Sequence, residues 1–182
     1  MYNLIVKIRM QQKFFVNGLR LFIVFMTFLI GACLFPDQGV AEKKMVGLIE
    51  KVKVYPEKLL FYAKLDTGAL NSSLNADRVQ LFKRDGKDWV RFTVIDRKKK
   101  EVTLERPVLR IARVKQREGK FQERPVVLLN LCIGRIIKNV EVNLVDRNRF
   151  IYPLLIGRSY LIGEFAVDPA VKFTTKPDCI VP

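Results

Sequence analysis

Asp66-Thr67-Gly68-Ala69 are the residues best placed to do chemistry, directly after the apolar run Leu59-Leu60-Phe61-Tyr62-Ala63-Lys64-Leu65. A carboxylate on a tight turn at the end of a buried strand is held in a fixed place. Asp and Gly are ordinary turn residues, so the tripeptide alone says little. A second apolar run far along the chain, Leu154-Leu155-Ile156-Gly157-Arg158, makes the combination specific. The chemistry it points to uses two carboxylates. At about 3 Å apart they cannot both ionise comfortably, so the pair shares one proton. The charged member takes a proton from a water that attacks a carbonyl carbon, and the neutral member hydrogen-bonds the carbonyl oxygen. Neither a metal nor a covalent intermediate is required. The chain has a single Asp-Thr-Gly and no Asp-Ser-Gly. The partner carboxylate therefore comes from Asp66 of a second copy, across a two-fold axis.

Other chemistries lack their residues. There is no histidine, which removes Ser-His and Cys-His nucleophile pairs and His-Glu-x-x-His zinc sites. Beyond Cys33 the only cysteines are Cys132 and Cys179, and two separated thiols do not make a structural zinc site. No Gly-x-x-x-x-Gly-Lys-Ser/Thr phosphate loop is present. Gly157-Arg158-Ser159-Tyr160-Leu161 fails the nucleophile-elbow pattern at its last position. Carboxylates, hydroxyls and water remain, and no cofactor is expected.

The elements that must position Asp66 read mostly as strands. Lys51 to Tyr55 alternates, as does Val140 to Leu144 with Val140, Val142 and Leu144 on one face. Val126 to Ile133 is nearly all apolar, the pattern of a strand covered on both sides. Asp85-Gly86 predicts a hairpin between Val79–Phe82 and Trp89–Val94, with a connection longer than two residues. Glu118-Gly119-Lys120 and Ile133-Gly134-Arg135 predict two more hairpins. Pro56, Pro107, Pro125 and Pro153 read as strand starts or edges. The one helix signal is Ser159 as cap of a short helix through Tyr160-Leu161-Ile162, ended before Pro169. Many short strands between turn residues predict an all-β closed barrel or sandwich.

Residues 1–41 read as a targeting segment. Lys7, Arg9, Lys13 and Arg20 surround or precede an uncharged 14-residue run, Leu21 to Leu34. That run suits a signal peptide better than a spanning helix. Gly39-Val40-Ala41 offers a cleavage site, which we weigh above lipidation at Cys33 in Leu29-Ile30-Gly31-Ala32-Cys33; an uncleaved anchor is a third alternative. The organisation is thus 1–41 as signal and 42–182 as one domain. Losing four basic residues and Asp37 turns the formal charge from +15 into +12. A basic exported domain meets anionic lipid, envelope polymer or acidic substrates rather than nucleic acid, and Arg97-Lys98-Lys99-Lys100 reads as a solvated loop. In an oxidising compartment Cys132 and Cys179 can pair; alternatively Cys132 is a buried thiol.

Ala63 to Ala76 (Ala-Lys-Leu-Asp-Thr-Gly-Ala-Leu-Asn-Ser-Ser-Leu-Asn-Ala) resembles the bacterial family catalogued as ATP-dependent zinc proteases and now grouped with retropepsin-like aspartic endopeptidases. Arg84-Asp85-Gly86 through Trp89-Val90-Arg91-Phe92, Glu123-Arg124-Pro125-Val126, Asp146-Arg147-Asn148 and Leu155-Ile156-Gly157-Arg158 extend the resemblance over about residues 46–163. It implies a small closed barrel of the acid-protease type with one short C-terminal helix. It implies Asp66 as the catalytic carboxylate, Thr67 as a brace across a homodimer, and Gly68 and Ala69 as backbone lining of the substrate cleft. Gly157 and Arg158 would thread beside the Asp66 loop. By analogy, the hairpin at Gly119 is the flap over an extended peptide, with the Asp85-Gly86 hairpin as competitor. The family's association with glutamate-ligase systems implies an acidic peptide or protein substrate. The chain departs from the family at Leu70, where Arg is usual, and at Asn75, where His is usual. Leu70 cannot pair with Arg158, and a buried unpaired Arg is costly, so a carboxylate from elsewhere is expected beside it. These departures also leave open an inactive barrel that binds a peptide or anionic polymer. The zinc and ATP of the family's catalogue name find no support in the sequence.

Overall fold

The computed structural model describes residues 42–115 and 119–180. The expectations for residues 1–41, cleavage and lipidation included, lie outside the described residues, as does Glu118. Strands dominate: β1 (Lys44–Tyr55), β2 (Leu59–Asp66), β3 (Ser72–Asn75), β4 (Asp77–Arg84), β5 (Lys87–Ile95), β6 (Glu101–Pro107), β7 (Arg110–Lys115), β8 (Phe121–Ile133), β9 (Ile136–Val145), β10 (Leu154–Gly157) and β11 (Phe165–Lys172). The single helix among the described residues, α1, is one turn, Arg158–Leu161. The large sheet runs β11-β1-β2-β10-β3-β9-β8-β7, and β1 also pairs with β8. That extra pairing closes a ring of β1, β2, β10, β3, β9 and β8. β1 can serve three neighbours because it is long: its first half pairs with β11, and its last residues, Lys53–Tyr55, pair with β8.

The ring's interior follows from period-two patterning. In β2, Leu59, Phe61, Ala63 and Leu65 point inward and are buried, whereas Leu60, Tyr62, Lys64 and Asp66 alternate to the outer face. Val52 and Val54 of β1, Leu129, Leu131 and Ile133 of β8, Val142 and Leu144 of β9, and Leu154 and Ile156 of β10 join them in one core. Val126 to Ile133 is covered as expected, except that Leu128 is 44% exposed. A separate three-stranded sheet, β4-β5-β6, lays Val90, Phe92, Val94 and Leu104 against the same core.

Two local expectations change. Arg84 pairs with Lys87, so Asp85-Gly86 is a two-residue loop. Both residues have positive φ, 50° and 73°, which matches the right-handed twist of the strands; the strands simply continue through charged residues to the turn. Ser159 does not cap the helix: Gly157 is the N-cap, with no side-chain bond, and Ser159 is already inside. Pro169 lies within β11, in the stretch where its pairing with β1 shifts register. Pro125 sits in β8 facing β7, before β9 pairing begins at Val126, so no ladder bond is lost on that side.

A C-terminal strap fastens the barrel. Cys132 and Cys179 form a disulfide. Phe173 N–H donates to Ile49 O, Asp178 N–H to Gly134 O, and Tyr55 Oη–H to Cys179 O. Glu50 is fully buried and accepts from the Gly47, Thr174 and Thr175 N–H groups and from both threonine hydroxyls. Burial alone would push its carboxyl up; the Thr174 hydroxyl and the three N–H groups outweigh that and hold it below the usual value.

Candidate active site

Asp66 ends β2, with Gly157 of β10 directly beside it in parallel register. The turn after it folds back on the carboxylate: Gly68 N–H donates to Asp66 Oδ1 at 3.0 Å and Ala69 N–H at 3.2 Å. Neither bond uses Oδ2. The carboxylate is half-buried, and Thr67 and Gly68 are exposed.

The β10–α1 junction holds this turn from behind. Arg158 N–H donates to Ala69 O and Ser159 N–H to Leu70 O. Gly157 N–H donates to Ser72 Oγ at 3.1 Å. A Cβ on Gly157 would lie 2.5 Å from Asn71 C and 2.7 Å from Leu70 O. The glycine is therefore required by close backbone approach, and the Leu-Leu-Ile-Gly run is the back wall of the Asp66 turn. Tyr160, fully buried, sets the helix: its hydroxyl accepts from Ile133 N–H at 3.0 Å and donates to Ile136 O at 2.8 Å.

The expectation for Arg158 is corrected. Its side chain is exposed, and among the described residues no carboxylate pairs with it. Exposure removes the need for the buried partner expected from the sequence, because water solvates the guanidinium. The buried arginine of the site is Arg147, 9% exposed, on the loop between β9 and β10. Arg147 Nη1 donates to Ser73 Oγ at 2.9 Å and Nε to Tyr152 O at 3.3 Å, and the guanidinium lies 4.4 Å over the Phe150 ring. Burial first, then the charge of Arg124, push the Arg147 guanidinium down; Asp66 pulls it back up. Sequence reasoning quoted Asp146-Arg147-Asn148 without giving it a role, and that motif was the available signal.

Asn75 proves to be a connector. Its Oδ1 accepts from Arg147 N–H, and its Nδ2 donates to Asn148 Oδ1 at 3.1 Å. A neutral amide thus ties the end of β3 to the loop that carries Arg147. A cavity of about 340 Å³ opens beside that loop, lined by Gln122, Arg124, Val145, Asp146, Arg147, Arg149 and Phe150. Gly119 is exposed, with φ 77°, in the β7–β8 hairpin. Among the described residues no group of three His, Cys, Asp or Glu side chains could hold a metal, and the two described cysteines are bonded to each other. The donor set does not fit zinc.

Residues 45–178 match the family model of RimB-like proteins, described as the retropepsin-like aspartic endopeptidase RimB. A crystal structure of a Legionella pneumophila protein of unknown function (DUF785) is 38% identical, with a TM-score of 0.64 over 74% of this chain and 100% of that one. A protein of Desulfotalea psychrophila named "Probable alpha-L-glutamate ligase" is 32% identical over 71% of this chain. A protein of the same name from Parasynechococcus marenigrum is 33% identical over 59%. The chain spans only 29% and 24% of the length of these two relatives.

Proposed function

The chain belongs to the RimB-like family of retropepsin-like aspartic endopeptidases, and from that membership we propose that it is an exported, homodimeric aspartic endopeptidase. The observation that carries the reading is the Asp66 carboxylate, fixed through Oδ1 by two N–H groups of its own turn, neither of which uses Oδ2. In the dimer, Asp66 of each subunit meets the other and the pair shares one proton. The ionised member accepts a proton from the water that attacks the scissile carbonyl carbon. The protonated member donates to the carbonyl oxygen as charge develops there. Collapse of the tetrahedral intermediate expels the amine, which takes up a proton from the dyad. Thr67, exposed beside the carboxylate, braces the two turns. The backbones of Gly68, Ala69 and the Gly119 hairpin contact the peptide.

The Cys132–Cys179 disulfide supports an oxidising compartment, periplasm or envelope, reached through residues 1–41, with membrane attachment through that segment as a further possibility. The ligase name of the relatives is not carried over, because this chain spans under a third of them. Their glutamate chemistry, with the net positive charge here, favours acidic peptides as substrates. The test is cleavage of a peptide library by the wild type and by Asp66→Asn. Loss of at least a thousandfold with the fold intact, and indifference to chelator, is the expected result. Cleavage that persists in Asp66→Asn sinks the mechanism. A second reading, a binding barrel without activity, rests on Leu70, which is 57% exposed next to the site; a monomer that cuts nothing in the library favours it.

A further inference from the structure

A cationic region lies away from the Asp66 turn, where the β5–β6 turn packs on the start of β2. Arg97 N–H donates to Leu60 O at 2.8 Å. Leu60 precedes Asp66 on β2 by six residues, about 20 Å along an extended strand. The turn carries four consecutive cations, Arg97 to Lys100, all exposed. It is built rather than loose. Asp96 is buried, and its Oδ1 accepts from Lys98 N–H at 2.7 Å and from Lys100 N–H at 2.9 Å. Lys99 N–H donates to Asp96 O, Asp96 N–H donates to Lys100 O, and Lys99 takes φ 64°. The carboxylate thus organises the backbone of the turn and forms an ion pair with none of its cations.

Aromatic rings continue the region. The Arg97 guanidinium lies 4.4 Å over the Tyr62 ring, and Tyr62 lies 4.6 Å from Phe173. Lys51, opposite Tyr62 in the β1–β2 register, lies 5.8 Å over Phe173. Cation and ring therefore alternate across the outer face, with Ile95 and Phe173 exposed among them. Among the described residues no carboxylate pairs with Lys51 or with any of Arg97 to Lys100, and the neighbouring Glu101 is engaged by Arg78.

We propose that this pole, the Arg97–Lys100 turn with Lys51, Tyr62 and Phe173, docks the domain on a membrane surface of anionic phospholipid. The charges are complementary, and each cation brought close to such a surface adds to the attraction. Rings and an exposed Ile95 among the cations suit the boundary between headgroups and acyl chains, where amphipathic side chains settle. Lysine point charges suit dispersed headgroups, whereas one discrete anion is better matched by the planar fork of arginine. A turn fixed in advance loses little freedom on docking. The surface is separate from residues 1–41, and the inference does not depend on the peptidase reading. Docking here leaves the Asp66 turn, at the other end of β2, clear of the lipid.

The experiment uses the full chain on two kinds of vesicle, phosphatidylcholine alone and an equal mixture with phosphatidylglycerol. Lysine amines are acetylated on each and mapped by mass spectrometry. The neutral vesicles hold constant whatever residues 1–41 contribute. Lys98, Lys99 and Lys100 are expected to react at least threefold more slowly on the anionic vesicles, as is Lys51 on the same face. Lys87, in the β4–β5 hairpin, should be unchanged. Half-molar sodium chloride should remove the protection by screening. In the variant Lys98→Gln/Lys99→Gln/Lys100→Gln, whose exposed positions spare the fold, Lys51 should lose its protection. Equal reactivity on the two vesicles overturns the proposal, and so does protection of Lys51 that survives in the triple variant. Protection by duplex DNA with none from anionic vesicles would make the pole a nucleic-acid surface and overturns it equally.

Discussion

At the scale of single residues, two glycines and one carboxylate separate close packing from backbone conformation and from charge. Gly157 touches the Asp66 turn so closely that a methyl group has no room. Gly157→Ala is expected to destabilise by about 2–3 kcal/mol and to lower peptidase activity further than stability, since the displaced atoms are the turn itself; paired denaturation and kinetic measurements check this. Gly86 needs only its positive φ, with nothing within 4 Å of an added Cβ. Gly86→Ala should cost about 1–2 kcal/mol and leave cleavage unchanged. Glu50 tests the sign of a buried charge. Its carboxyl is held below its ordinary value when folded, so its contribution is complete above the unfolded value. That contribution disappears as pH falls through the folded one. Glu50→Gln should therefore lose about 1–3 kcal/mol at neutral pH and show a flatter acid limb below about pH 4.5, measured by denaturant midpoints across pH. Arg147 shows what residue types alone leave open: the sequence marks it as one of many arginines, and only the tertiary placement of its loop buries it.

Among the elements, the strands were legible where burial alternates and opaque where pairing crosses the sequence. β2 and β10 could be read from their apolar runs. That Gly157 lies opposite Asp66 could not, because parallel register depends on how two distant strands stack in the ring. The Asp85-Gly86 hairpin was legible as a turn but not as a two-residue one, since Lys83, Arg84, Lys87 and Asp88 are polar and still pair. α1 was located within two residues, and its cap was misassigned because tertiary bonds to Ala69 and Leu70 replace a side-chain cap. Tyr160→Phe removes the bond that seats this helix on the β8–β9 hairpin. It should cost about 1–3 kcal/mol and reduce activity indirectly through the Asp66 back wall; thermal denaturation and kcat together report it.

For the whole molecule, the strap and the proposed dimer set stability and activity respectively. The disulfide joins positions 47 residues apart. A loop of that length stabilises by about 4 kcal/mol on chain-entropy grounds, so Cys179→Ser should lower the denaturation midpoint and make the protein insensitive to reductant. Leu70, 57% exposed next to Asp66, lies where a second copy must approach in the proposed dimer. Leu70→Glu is expected to weaken self-association at least tenfold and to lower activity in proportion, as sedimentation equilibrium with parallel assays would show. An unchanged dimer would move the interface elsewhere. The sequence alone determined that this is a β protein with one Asp-Thr-Gly turn and a Gly-terminated strand to support it, because period-two patterning and turn chemistry are local. Only the tertiary structure decided which arginine is buried, which is exposed, and that Asn75 links two loops. Those properties depend on register and closure, which bring residues dozens of positions apart into contact and which no local pattern encodes.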